Sequence, residues 1–600
     1  MCGILGYISK NKNKFKSFDD KQFLKSLEHR GPDEYNYIKG KDYFFGHTRL
    51  SIIGPNEIEA KQPIHKNQKI LIFNGEIYNF KKLNKDLNDL NIFNSGNSDT
   101  ETLFDCIEKF GIEETLSKID GMYAFAFFDI KKNKLFLARD KIGEKPLYYS
   151  HDDDFFIFSS EIKSIILSNT KSYEPNYDIF HEIFLHGQIY GSKTAFKNIL
   201  EIQPGFFLEF NITLNSYKLH QYWKLEDFEI NNNKILINEF EERFNDCINS
   251  RLTSDVPISS LISGGIDSSS LAYKFLELSN QSEFNFFFAK NKNKQIDEHK
   301  QVQYFINFLK KKFSKKKINL HIIRSEIYNY WNNLEKISYY NDEPCTFNNF
   351  HSVYNLTKEI NKKKFKVVFS GEGADEILFG YERFINTSKK FQNNNDQNLR
   401  NIYYGSSYKD LDNISRIINC KYLEKKIYNS ESWEYLKMIS KKFDLNTTQM
   451  IFSQKYRMLG LLQRQDRAAM ANGVESRAPF LKASFVKWIN SININYKYNK
   501  KKNINKFILR KYMSKYLDSK IIFRKKIGFA TDFDLEITKN CTLKKIKKLV
   551  QNNNSFSSNY LNKKNLVKIL DDNSSLEKNK NIIQSVLNIE SWFKRYYLKY

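Results

Sequence analysis

Short apolar and aromatic runs alternate with polar turns through the first 210 residues of the chain. Residues 69–73, 124–129, 134–138 and 155–159 are each apolar over a strand's length and predict β-strands. Helical patterns lie at 18–27, 80–90 and 100–110. Thr100 is placed to cap the last of these, with Asp99 and Glu101 favourable near its positive end. The mixture predicts sheets covered by a few helices. After about residue 211 the pattern changes. Gln221-Tyr222-Trp223 leads into Asn231-Asn232-Asn233, and beyond it apolar strands run into Gly-containing loops: 258–262 before Ser263-Gly264-Gly265, and 366–369 before Ser370-Gly371-Glu372. A helical pattern at 270–278 follows the first loop, and a further strand is expected at 284–289. Two such loops at strand ends suit an α/β sheet whose ligand lies off its carboxyl edge. One domain is expected over 2–215 and a second over 235–600, with a helical, Lys/Asn-rich C-terminal part.

Composition narrows the function classes. The 600 residues are 41% hydrophobic, enough for several cores, and the net charge is +26. The lysines are spread along the whole chain, and no groove-reading or base-stacking motif accompanies them, so no specific nucleic-acid partner is expected. No apolar run approaches a membrane span, and the start lacks a basic segment followed by a long apolar one; a cytoplasmic protein with no membrane partner is expected. The six cysteines are scattered without a CxxC pair, which argues against a zinc site or a disulfide framework and fits a reducing compartment.

The chemistry begins at Met1-Cys2-Gly3. Removal of Met1 would leave Cys2 with a thiol and a free α-amine whose pKa is about 7.7–8.0, able to serve as base for its own thiol. Polar clusters follow at Arg30-Gly31-Pro32-Asp33, His47-Thr48-Arg49-Leu50-Ser51-Ile52-Ile53, Phe73-Asn74-Gly75-Glu76 and Ser98-Asp99-Thr100-Glu101. Singly each has a plainer reading: a turn, a surface charge, a hairpin, a neighbour of a helix cap. In order, together with Cys2, they resemble class II glutamine amidotransferase domains, which belong to the N-terminal-nucleophile hydrolases. The resemblance continues through Arg139-Asp140, Gly143-Glu144-Lys145-Pro146 and Ser159-Ser160-Glu161, and implies an αββα sandwich. It further implies that Cys2 attacks the side-chain amide of glutamine, with Asn74 and the Gly75 N–H receiving the oxyanion. Arg49 would hold the substrate carboxylate, Asp99 its ammonium group, and Leu50, Ser51, Ile52, Ile53 and Glu76 the rest of the pocket.

In the second half, Ser263-Gly264-Gly265-Ile266-Asp267-Ser268 joins a strand to a helix, the arrangement that offers backbone N–H groups to phosphate. It lacks the spacing and lysine of a Walker A loop. It looks like the pyrophosphate loop of enzymes that cleave ATP between the α and β phosphates. With Ser370-Gly371-Glu372-Gly373-Ala374-Asp375 the resemblance is to asparagine synthetases, supported by Arg464-Gln465-Asp466-Arg467, Glu475-Ser476-Arg477-Ala478-Pro479-Phe480-Leu481, Lys506-Phe507-Ile508-Leu509-Arg510 and Arg524-Lys525-Lys526. A doubly wound parallel sheet is implied. Ser263, Gly264, Gly265 and Ser268 would hold pyrophosphate, Leu261, Ala289, Ser370 and Gly371 the rest of the ATP, and Asp267 and Asp375 Mg²⁺. Glu372 would face the adenylate, Asp375 would be a second metal or acceptor ligand, and Lys526 would touch the α-phosphate. Three positions depart from the family pattern: Lys482 where Asp is usual, Phe379 where Gly is usual, and Lys290 where Gly is common. The implied reaction is ATP-dependent amide transfer from glutamine to aspartate through β-aspartyl-AMP. The alternative is a related enzyme that amidates another carboxylate, such as a surface-polysaccharide sugar acid. A homodimer is an assembly the resemblance leaves open.

Overall fold

The computed structural model describes residues 2–10, 19–94, 98–168, 172–291, 297–324, 330–344, 347, 349–391, 393–405, 411–418, 423–524, 540–571 and 578–598. The N-terminal half contains two six-stranded antiparallel sheets. The first is built from β1 (Gly3–Ser9), β2 (Glu34–Lys39), β3 (Tyr43–Arg49), β8 (Tyr148–His151), β9 (Phe155–Ser159) and β10 (Leu200–Glu201), in the order β10-β8-β9-β1-β3-β2. The second contains β4 (Ile64–Lys66), β5 (Lys69–Ile77), β6 (Gly121–Asp129), β7 (Lys134–Arg139), β11 (Phe206–Asn211) and β12 (Ser216–Gln221), in the order β12-β11-β7-β6-β5-β4. Alternate residues of each strand meet between the sheets. Ile4, Ile8, Phe45 and Phe158 from the first pack on Ile70, Ile72, Ala126 and Leu137 from the second, and Phe45 stacks on Phe128 with ring centroids 5.5 Å apart. The opposite faces are equally apolar and are covered by helices: Phe23 lies against Tyr7 and Phe44, and Phe104 against Phe127. The result is the expected αββα layering. The second sheet runs to Gln221, past residue 215.

Helix α1 (Asp99–Lys118) is broken at Gly111, where φ is 77°, so the helical stretch expected to end at 110 does end there before a second begins. Its cap is Ser98, whose side chain accepts from the Thr100 N–H. Thr100, expected to cap, is already inside the first turn because Asp99 is helical.

The second half contains β13 (Ile258–Leu261), β14 (Glu283–Lys290), β15 (Lys317–Arg324), β16 (Val367–Phe369) and β17 (Glu475–Arg477), all parallel, in the order β15-β14-β13-β16-β17. The order reverses between β13 and β16, the crevice where such sheets bind ligands. Both glycine loops leave the sheet there. The helix after β13, α2 (Ile266–Leu278), starts four residues before its apolar run.

The halves share a polar seam. Arg30, wholly buried, donates to the Cys2 carbonyl at 3.2 Å and to Glu161 and Asp466 at 2.9 Å each. Lys163 pairs with Asp342 at 2.9 Å, and Asp342 also accepts the Ile162 N–H at 2.7 Å. The last helix, α4 (Lys580–Tyr597), drives Trp592 into this seam, where its ring meets Phe180 and Phe196 and its indole N–H donates to the Asp342 carbonyl at 2.9 Å. Trp592→Ala is expected to cost about 3–5 kcal/mol through the cavity left behind; denaturant unfolding followed by circular dichroism will show an earlier midpoint.

Candidate active site

The first pocket forms where β1, β3, β5 and α1 converge. Cys2, Arg49, Leu50, Ile52, Ile53, Gly75, Glu76 and Asp99 line one small cavity of about 30 Å³. The Cys2 N–H donates to Asn74 Oδ1 at 3.0 Å. Because that donor requires an oxygen, the amide orientation is fixed, and the Asn74 Nδ2 group is left buried without a hydrogen-bond partner among the described residues. Such a donor is costly to leave unmade unless a ligand oxygen arrives. Gly75 has φ 150°, and a Cβ there would lie 2.0 Å from the Met122 carbonyl, so only glycine lets β5 lie this close to β6.

Burial governs the charges around Cys2. It pushes the Cys2 thiol up, with the Leu50 N–H and Arg49 pulling the other way. Burial raises Asp99 to about 6, against the Ile77 N–H, which Asp99 accepts at 3.0 Å. Glu76 is held well above the carboxylate range by burial and by Glu475 and Asp99, despite Arg477 3.8 Å away. Arg49 donates to the Ile53 and Gly54 carbonyls at 3.4 and 2.7 Å, fixing the curl of the loop 50–54. Of the expected pocket residues, Ser51 and Asn74 do not line the cavity: the Ser51 N–H goes to Asp33 at 2.7 Å and its carbonyl receives Lys366 at 3.3 Å, while Asn74 is turned to the Cys2 nitrogen. Gln62, Phe73 and Thr100 do line it and were not foreseen. Gln62 takes the Phe73 N–H at 2.6 Å, a contact between distant positions that no local pattern reveals.

The second pocket is a cleft of about 620 Å³ off the carboxyl edge of the parallel sheet, lined by Glu372, Asp375, Gly380, Tyr381, Arg464, Arg510 and Arg524 among others. In the first loop the Ser268 hydroxyl receives the Ser263 N–H at 3.1 Å and donates to the Gly265 carbonyl at 3.2 Å. Gly264 takes a left-handed φ of 72°, and Arg524 donates to its carbonyl at 2.9 Å. In the second loop Ser370 donates its N–H to the Arg477 carbonyl at 2.9 Å, and Gly371 lies against Asp267. Arg464, on helix α3 (Met458–Met470), hydrogen-bonds Glu372. Leu261 and Ala289 pack at the ends of β13 and β14 against the apolar group of Phe287 and Val368.

Sequence reasoning gave no role to Lys506. Its ammonium sits 2.5 Å from Asp267 and 2.7 Å from Asp375, nearly fully buried. A Cβ on Gly380 would strike both Asp375 and Lys506, so the glycine makes room for this pair. One lysine in a chain with 95 Lys and Arg residues carries no signal of its own; its adjacency to the Phe507–Arg510 block was the available hint. Lys526 lies outside the described residues.

Fold and pockets together define a glutamine amidotransferase joined to a nucleotide-type α/β domain. A family model described as a glutamine amidotransferase domain matches residues 1–223, and one described as asparagine synthase matches residues 239–594. The chain belongs to the asparagine synthase family. It is 27% identical over 641 aligned positions, 99% of both chains, to asparagine synthetase [glutamine-hydrolyzing] 3 of Bacillus subtilis. It is 30% identical to the putative asparagine synthetase [glutamine-hydrolyzing] 2 of Methanocaldococcus jannaschii, over 64% of this chain and 76% of that one. A fungal relative named amidase chry2, from Gibberella zeae, is 27% identical over 64% of this chain and 60% of its own.

Gly75→Ala is expected to push β5 off β6 and lower stability by about 1–3 kcal/mol, the usual cost of overpacking. Thermal melting will report that loss, and the alkylation rate of Cys2 will change with it.

Proposed function

We propose that the chain moves ammonia from glutamine to a carboxylate activated by ATP, and that the carboxylate is aspartate. The observation that carries the first half is the Asn74 side chain. Its oxygen holds the Cys2 nitrogen while its Nδ2 group stands buried and unmatched. With Met1 removed, that nitrogen is an amine and takes the thiol proton. The thiolate attacks the glutamine amide carbon, and the developing oxyanion finds Asn74 Nδ2 and the Gly75 N–H; each such donor is worth about 3 kcal/mol. Ammonia leaves with the proton, and water cleaves the thioester to glutamate. Arg49 and Asp99 hold the two ends of the amino acid through charge-assisted bonds.

In the second half, the aspartate β-carboxylate attacks the α-phosphorus of ATP and pyrophosphate leaves. Ammonia then attacks the acyl carbon of β-aspartyl-AMP, and AMP departs with the bonding pair. Ser263, Gly264, Gly265 and Ser268 cradle the departing pyrophosphate, and Leu261, Ala289, Ser370 and Gly371 hold the rest of the nucleotide. Glu372, oriented by Arg464, faces the adenylate, and Lys526 serves the α-phosphate. The donor set fits Mg²⁺, which takes one or two carboxylates together with substrate phosphates: Asp267 and Asp375 would hold it, beside Lys506, and it would supply charge neutralisation at the phosphates. The work divides near residues 215–235.

Cys2→Ala is expected to abolish glutamine-dependent product while ammonia-dependent product persists; equal loss of both refutes the division. AMP released only when aspartate is present supports the acceptor, whereas ATP cleavage indifferent to aspartate favours a different carboxylate. The ionised form of Asp99 pairs with the substrate ammonium, and it is lost as pH falls through about 6. The kcat/KM for glutamine should therefore drop about tenfold per unit below that point. Asp99→Asn should remove this step from the profile and raise the KM for glutamine.

Lys506→Met should leave glutamine hydrolysis intact and lower AMP formation by about 100-fold or more, since it strands two buried carboxylates.

A further inference from the structure

Two adjacent strands of the parallel sheet connect the nucleotide loops to the loop over the glutamine pocket. β13 leads into Ser263–Ser268. Three residues before it begins, Asp255 accepts the Gly54 N–H at 2.8 Å and gives its own N–H to the Ile52 carbonyl at 3.2 Å. β16 leads into Ser370-Gly371-Glu372. The residue before it, Lys366, donates to Asp33 at 2.7 Å and to the Ser51 carbonyl at 3.3 Å. Three of the residues from 51 to 54 are thus gripped from the second domain, while Arg49 holds the curl from the first.

The two arms belong to one body. Ile258, Ser259 and Ser260 pair in register with Val367, Val368 and Phe369. The buried Arg477, at the end of the neighbouring β17, donates to the Arg251 and Thr253 carbonyls at 2.6 and 2.7 Å just ahead of Asp255. At about 3.3 Å per residue, the chain reaches about 13 Å from Lys366 to Ser370 and at most about 26 Å from Asp255 to Ser263. On its inner side the gripped loop presents Leu50, Ile52 and Ile53 to the glutamine cavity. On its outer side lies a cleft of about 550 Å³, lined by Ile53, Gly54, Glu57, Phe80 and Asp255 among others, which gives the loop room to swing away from Cys2.

We propose that Asp255 and Lys366 are positioning residues that couple the sites: nucleotide held by the loops after β13 and β16 steadies loop 50–54 over the glutamine pocket. This rests on the two-site reading above. Coupling between sites is reciprocal, so glutamine should also tighten nucleotide binding by the same factor.

Hydrogen exchange on the full chain tests it, with Mg²⁺ and an ATP analogue whose α,β-bridging oxygen is replaced by methylene. In the wild type, protection is expected at 263–268 and also at 50–56, with a KM for glutamine lowered about fivefold. In D255A/K366M, protection at 263–268 should remain while the response at 50–56 and in KM disappears. The kcat for glutamine hydrolysis and ammonia-dependent AMP formation should stay within twofold. D255N/K366R, which keeps an acceptor and a cation, should restore the response. Protection at 263–268 without any at 50–56 in the wild type overturns the coupling alone. A response that survives in D255A/K366M, or a D255N/K366R protein that folds yet fails to respond, also overturns it. No protection at 263–268 overturns the nucleotide reading and the coupling with it. A wild type that hydrolyses no glutamine overturns the Cys2 reading, and the exchange at 50–56 still decides the coupling.

Discussion

The guanidinium of Arg30 has no access to water, and its partners come from three places: the Cys2 carbonyl, Glu161 beside β9, and Asp466 on α3. A buried charge that loses one partner costs several kcal/mol. The backbone at the thiol and the helix of the second domain therefore hold a fixed relation. Asp466 is also approached by Lys145 at 3.4 Å. Two residues away on the same helix, Arg464 orients Glu372 in the nucleotide cleft. The two pockets are thus joined through one hydrogen-bonded network that crosses from the first domain to the second.

This arrangement separates the charge of the surface from that of the interior. The chain carries +26, yet the seam and clefts collect carboxylates. Burial raises Glu144, Glu343 and Glu376 each to about 7 and holds Glu76 well above the carboxylate range. By contrast Glu475, beside Arg477 at 2.6 Å, falls to about 2. Buried carboxyls are thus pushed in opposite directions, upward where burial dominates and downward at Glu475, where Arg477 lies in hydrogen-bond reach. The excess of lysine reports nothing about these sites.

How far the sequence could be read follows from the range of each interaction. Strands and glycine loops declare themselves within ten residues, so sheets covered by helices in the first half and an α/β sheet with loops at its strand ends in the second were legible from pattern, whereas the αββα layering came from the family resemblance. Ser98 took the cap expected of Thr100 by a shift of two residues, a choice between adjacent hydroxyls that backbone geometry settles. Ser51 was expected in the pocket by adjacency to Arg49, but its backbone turns outward to Asp33 and Lys366. Lys506 and Asp466 were missed for one reason: each acts on partners more than a hundred positions away, and nothing local distinguishes a buried charge from the many exposed ones.

The departures from the family pattern fall on packing and on the seam. Lys482 stands where an acid would cap the helix that follows, and no side-chain cap is made there. Its ammonium instead bridges Asp246 at 2.7 Å and Asp120 at 3.2 Å, a contact from the second domain to the first. Phe379 adopts a left-handed φ of 58°, an unfavourable conformation for a bulky side chain. It is stacked on Tyr498 and packed with Phe384 and Met450 in a dry aromatic group, and burial of this ring offsets the backbone cost. Lys290 ends β14, paired in register with Arg324 rather than placed at Asp267 or Glu372. None of the three lines the Cys2 cavity or the cleft beside Glu372 and Asp375. What they alter is how firmly the domains and the wall beside Gly380 are held, and that is where a change in acceptor preference, as opposed to a loss of chemistry, would arise.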